Sequence, residues 1–181
     1  ALSQTAQDSS LLKFKQLLIA SLNQVLYLSM PSGMILLILR LPAVRLAFGA
    51  RSFPWEATLL TGQAVALFAI SVFAQSAIQI LVRGFYALSN TRSPFVIGAA
   101  AVAVNVFLSF VFVYRFGLGI LGLALAISLA SFLHLGLLFW RLSRILGGFS
   151  QDEFYRPVAK MTAATLITGL SLYLPFRLLD K

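Results

Sequence analysis

Apolar residues in this chain come in five long runs divided by short basic connectors, near residues 17–39, 58–82, 94–114, 118–140 and 158–176. Each run approaches or exceeds the roughly 20 residues a helix needs to cross a hydrocarbon core about 30 Å thick. A helix on a water-soluble domain keeps one charged face, whereas the stretch from Pro94 to Val113 has no charged residue at all. The pattern predicts an all-α fold: a polytopic transmembrane helix bundle of about five spans, with residues 1–181 as one membrane domain.

Composition points the same way. Hydrophobic residues make up 60% of the chain, charged residues 10%, and the mean hydropathy is +0.93; a soluble domain carries about a quarter charged residues. The net charge of +9 comes from 14 Lys and Arg scattered between the runs. That placement sets topology and touches anionic headgroups, so membrane lipids are expected partners. Without a clustered basic face and interleaved aromatics, nucleic acid is not. The chain has no cysteine, hence no disulfide or thiolate chemistry. Its five acidic residues fall in connectors or tails, so no carboxylate pair can assemble inside the bilayer. A phosphate loop, a nucleophile elbow and an HExxH motif are all missing, and a single histidine cannot hold a metal by itself. No catalytic residue, metal site or cofactor is expected, and the reading is not an enzyme. The polar opening, Ala1 to Ser10, has no initiator Met or signal-peptide pattern and reads as the cut edge of a longer chain.

Within the runs a few residues stand out. Lys13 and Lys15 among the leucines of 9–24 suggest an interfacial helix leading into the first span. Pro31 removes a backbone donor inside that span; beside Ser29, Ser32 and Gly33 it is a candidate hinge, or an ordinary membrane-helix proline. The second run places Ser71, Gln75, Gln79 and Arg83 at successive i+4 positions, a candidate cavity-lining stripe or a set of interhelical hydrogen bonds. Small and polar residues recur along one side of the third run (Gly98, Ala101 or Val102, Asn105, Ser109) and of the fourth (Gly122, Ala126, Ala130, His134). These are helix-packing seams, where small side chains let backbones approach. His134 has no acidic relay partner in any span. Gly117 and Gly119 read as a tight turn. Lys13, Lys15, Arg83, Arg92, Arg141, Arg144, Arg156 and Lys160 fall on one side, against Arg40, Arg45, Arg51, Arg115, Arg177 and Lys181 on the other, which puts the first group in the cytoplasm.

The connector Arg83-Gly-Phe-Tyr-Ala-Leu-Ser-Asn-Thr-Arg-Ser-Pro94 is the most distinctive segment. Through Phe85, Tyr86, Ala87, Leu88, Thr91 and Pro94 the chain resembles the MurJ/MviN family of lipid II flippases. The similarity extends through Asn105, Gly117, Gly119 and the run Gly122 to Ala130, and upstream through Leu41-Pro42, Phe48 and Phe53. It implies that the five spans are similar to helices nine to thirteen of fourteen, most of the second lobe of a MOP-type exporter in the bacterial inner (plasma) membrane. The implied substrate is lipid-linked sugar, and the implied partners are the remaining helices of the same full-length protein. The family's pyrophosphate-gripping arginines would lie outside this chain. Departures occur at Asn90, where the family often has Asp, at His134, often Asn, and at Arg51, usually Gly. Two rival readings are a flippase for O-antigen or capsule lipid-oligosaccharides and a non-transporting membrane scaffold.

Overall fold

In the computed structural model the described residues are 2–49 and 54–179, with side chains described over 10–49 and 54–174; Arg51, Phe53 and Lys181 lie outside the described residues, and Arg177 outside those with described side chains. Six α-helices follow one another: α1 Leu2–Ile38, α2 Arg40–Phe48, α3 Trp55–Ala87, α4 Arg92–Phe110, α5 Gly119–Ile145 and α6 Arg156–Leu179. α4 ends in a wider π-type turn, Val111–Arg115, and a similar turn, Gln151–Tyr155, leads into α6.

Among the described residues four helices are long and apolar enough to cross a membrane: Ser10–Ile38, Trp55–Ala87, Arg92–Arg115 and Gly119–Ile145. The fifth expected span, 158–176, is helical as α6, and its side chains are described only as far as residue 174, short of the end of that span. The expected interfacial helix over 9–24 is also revised. α1 runs unbroken from Leu2, and Leu18, Ile19 and Leu22 are buried in the bundle, so Lys13 and Lys15 begin a span and do not form a separate surface helix.

Neighbouring helices pack in the order α6, α1, α3, α5, α4, with α2 against the start of α3. α3 is therefore central. Its approach to α1 is set by Gly33, where a Cβ would stand 2.8 Å from the carbonyl oxygen of Ala69. The approach to α5 is fixed by Ser128, whose hydroxyl donates to the Leu67 carbonyl at 2.8 Å. A core of Leu18, Leu22, Leu26, Ile78, Leu81, Phe85, Leu138, Leu142 and Phe154 joins α1, α3, α5 and the turn before α6 at one end of the bundle. Asn23 ties the same turn to α1, donating from Nδ2 to the Glu153 carbonyl at 2.9 Å.

The two tryptophans give the bundle a depth scale. α3 and α5 run parallel, Leu67 meeting Ser128 and Gly84 lying against Leu142, and the Ser128–Leu67 bond marks one level on both. Trp55 lies twelve residues before that level on α3 and Trp140 twelve residues beyond it on α5. At a rise of about 1.5 Å per residue the two indoles are up to about 36 Å apart along the bundle, between the hydrocarbon and full headgroup thicknesses of a bilayer. Each has an arginine over its ring at 4.5 Å, Arg45 on Trp55 and Arg144 on Trp140. Aromatic and basic residues at both ends are the pattern of interfacial anchoring.

Candidate functional site

The polar stripe on α3 divides into one buried residue and three exposed ones. Ser71 is fully buried, donating to the Phe68 carbonyl at 2.9 Å and accepting from Gln75 Nε2 at 3.0 Å. Gln75, Gln79 and Arg83 are exposed, followed by Tyr86 on the next turn. The reason is helical geometry: four residues exceed one 3.6-residue turn, so each i+4 step rotates about 40° and Ser71 is about 120° around the helix from Arg83. Ser71 thus turns under its neighbours while the rest of the stripe stays uncovered.

Depth separates the stripe further. Gln75 lies about 12 Å beyond the Leu67 level, Gln79 about 18 Å and Arg83 about 24 Å. The stripe therefore occupies one half of the bilayer, descending from the basic surface. Arg83 reaches headgroup depth at little cost, whereas Gln75 carries a primary amide into the hydrocarbon half, where Nε2 donates to Ser71 within α3.

The motif between the second and third runs is mostly helix, not connector. Arg83 to Ala87 complete α3, and the turn proper is Leu88 to Thr91. Gly84 does not end the helix; it admits α1 and α5, since a Cβ there would stand 2.9 Å from Leu18 Cδ1 and 3.4 Å from Leu142 Cδ2. Phe85 is fully buried in the core, and Leu88 packs against that core. Ser89 takes a left-handed conformation, φ 55°. The Asn90 amide donates to the Phe85 carbonyl at 2.9 Å, while its side-chain oxygen accepts from the Ser93 amide at 3.1 Å. Asn90 thereby caps the first turn of α4, a role Asp also fills. Thr91 is exposed, and Pro94 is buried within that first turn, where its missing donor costs nothing.

The seam between α4 and α5 holds Gly98 opposite His134, with a Cβ at Gly98 placed 3.8 Å from the imidazole Cε1 and Nε2. His134 Nε2 is buried and has no hydrogen-bond partner. Gly122 sits under Phe112, Ala126 and Ala130 are buried along the same side of α5, and Asn105 is half-buried on α4. Sequence reasoning missed the opposite face of α5, where Ala124, Ser128, Leu138 and Leu142 are buried. Ser128 was the available signal for it, a hydroxyl in an apolar run. Pro31 stays within α1, and Ser32 next to it donates to the Leu28 carbonyl at 2.7 Å. The glycine turn before α5 has Gly117 and Gly119 at φ 65° and 53°.

The family model of lipid II flippase MurJ matches residues 1–180. The chain belongs to the lipid II flippase MurJ family. A probable lipid II flippase MurJ of Rhizobium meliloti (strain 1021) is 34% identical over 89 residues, 49% of this chain and 17% of the relative. The corresponding protein of Buchnera aphidicola subsp. Baizongia pistaciae (strain Bp) is 25% identical over 173 residues, 96% of this chain and 33% of the relative. A solved lipid II flippase MurJ in an inward closed conformation shares the fold with a TM-score of 0.79 at 23% identity, over 90% of this chain and 33% of that one. The chain thus spans a third or less of the MurJ proteins it matches, and its helices make a multi-pass membrane protein.

Proposed function

We propose that this chain forms most of the second lobe of a lipid II flippase. The full protein would move undecaprenyl-pyrophosphate-linked peptidoglycan precursor outward across the bacterial inner membrane by alternating access, with no bond-making step. Two lobes rocking about a central cavity accomplish this without covalent chemistry. The remaining helices of the same protein supply the other wall. The reading is carried by the family match along residues 1–180, and the exposure of the α3 stripe supports its facing the substrate path. Gln75, Gln79 and Arg83 are uncovered on the C-terminal half of a membrane-spanning helix, and in a membrane such a polar face turns toward water or partner helices.

Two experiments test this. In a bacterium depleted of its own lipid II flippase, the full-length protein carrying this chain is expected to restore growth; well-expressed, membrane-inserted protein that fails to do so sinks the transport reading. Single cysteines, which meet no native thiol within this chain, test the path. Cysteine at Gln75, Gln79 or Arg83 is expected to react with a membrane-impermeant thiol reagent, and cysteine at the buried Ser71 to be protected. Protection at all four positions would favour the scaffold.

A further inference from the structure

The α4–α5 seam opens at the basic end of the bundle. Six residues before Gly98 and seven beyond His134, the two helices border a cleft of about 530 Å³ lined by Arg92, Ser93, Val96, Ile97, Leu137, Trp140 and Arg141. Three properties of this cleft belong together. Its charged groups are guanidiniums from two different helices, both exposed, and the one ion pair among the described residues, Arg156 with Asp152, lies elsewhere. Its deeper wall, Val96, Ile97 and Leu137, is apolar and continues toward the membrane interior. Trp140 stands between the two parts at interfacial depth, with Arg144 over its ring at 4.5 Å.

We propose that this cleft binds the phosphate headgroup of an anionic membrane phospholipid. Arg92 and Arg141 take the phosphate from opposite sides, since guanidinium forks match phosphate oxygens, and the Ser93 hydroxyl is available as a further donor. Trp140 lies against the glycerol region, and the first acyl carbons run along Val96, Ile97 and Leu137. A soluble anion uses the two arginines but has no use for the apolar wall, and a zwitterionic lipid uses the wall but offers no net charge to the arginines. Basic pockets between membrane helices on the cytoplasmic side recognise anionic headgroups by this combination. The proposal requires only membrane insertion; it does not depend on what the protein transports.

The test uses the full-length protein with Trp140 as its sole tryptophan, every other replaced by Phe, in vesicles containing brominated phosphatidylglycerol or brominated phosphatidylcholine. Bromine quenches a fluorophore only at contact. Phosphatidylglycerol is expected to be preferred at Trp140 roughly fivefold or more, and Arg92→Gln with Arg141→Gln to bring the preference to about one. Both side chains are exposed, so the fold is not at stake, and circular dichroism checks its helix content. Arg45→Gln, at the opposite surface, is expected to leave the preference intact. Equal quenching by the two lipids, or a preference indifferent to the double substitution, overturns the proposal. So does loss of the preference in millimolar inorganic phosphate but not in chloride of equal ionic strength, which would identify a soluble anion as the ligand.

Discussion

Single residues in this bundle matter chiefly by what they leave out. Gly33 is the sharpest case, because a Cβ there would meet a backbone oxygen, Ala69 O at 2.8 Å, which cannot rotate away. Gly33→Ala must push α1 from α3 and is expected to cost about 1–3 kcal/mol, the range of an overpacked core, read as a lower melting temperature in detergent or nanodiscs. Gly136→Ala adds the same atom where nothing lies within 4 Å, and is expected to be neutral or slightly stabilising through helix propensity. An equal loss at both sites would mean that the α1–α3 approach is not limited by Gly33. Residue type alone made some of this legible: Gly122, Ala126 and Ala130 announced a seam. Ser71 shows the limit. Its spacing places it in series with Gln75, but the 40° rotation per step and the position of α1 and α5 decide that it is buried, and only the assembled bundle supplies the second fact.

At the scale of elements, run length and hydropathy located α1 and α3 to α6 but not the short α2, which falls between the first two runs, and helix ends followed packing. α3 continues past Arg83 because Phe85 and Leu88 have core to bury against, so a basic, aromatic stretch that resembles a connector is the last turn of a helix. α1 begins well before its first core residues, Phe14 and Leu18, and α6 takes up the fifth apolar run as a helix. The α3–α4 turn depends on one side chain. Asn90 is the described cap of α4, and losing it leaves first-turn amides without a partner. Asn90→Ala is therefore expected to destabilise by about 1 kcal/mol, whereas Asn90→Asp retains the acceptor and is expected to melt with the parent. Should Asp prove as damaging as Ala, the side chain acts through its amide group and not as a cap.

For the whole molecule, the packing order turns a list of basic residues into two surfaces. The shared core fixes one end: Leu18 and Leu22 of α1 meet Leu81 and Phe85 of α3, Leu142 of α5 and Phe154 before α6. Lys13, Lys15, Arg83, Arg92, Arg141, Arg144, Arg156 and Lys160 all belong to these chain segments or to the start of α4, so they gather at that end. The described basic residues of the opposite end are Arg40, Arg45 and Arg115. The positive-inside rule counts Lys and Arg beside short connectors and gives little weight to acids, so Asp152 and Glu153 do not offset the larger group. The end bearing Ser89, and with it the mouth of the Gln75 to Arg83 stripe and the arginine cleft, is then expected to be cytoplasmic, the side from which, under the proposed function, a lipid-linked precursor would enter. Cysteine at Ser89 is expected to react with an impermeant reagent only in inverted membrane vesicles, and cysteine at Gly117, in the turn at the other end, only in intact spheroplasts. The reverse pattern would place the stripe's mouth outside the cell. The exposed amides would then face the exit and not the entrance, and Arg92 with Arg141 would meet the outer leaflet.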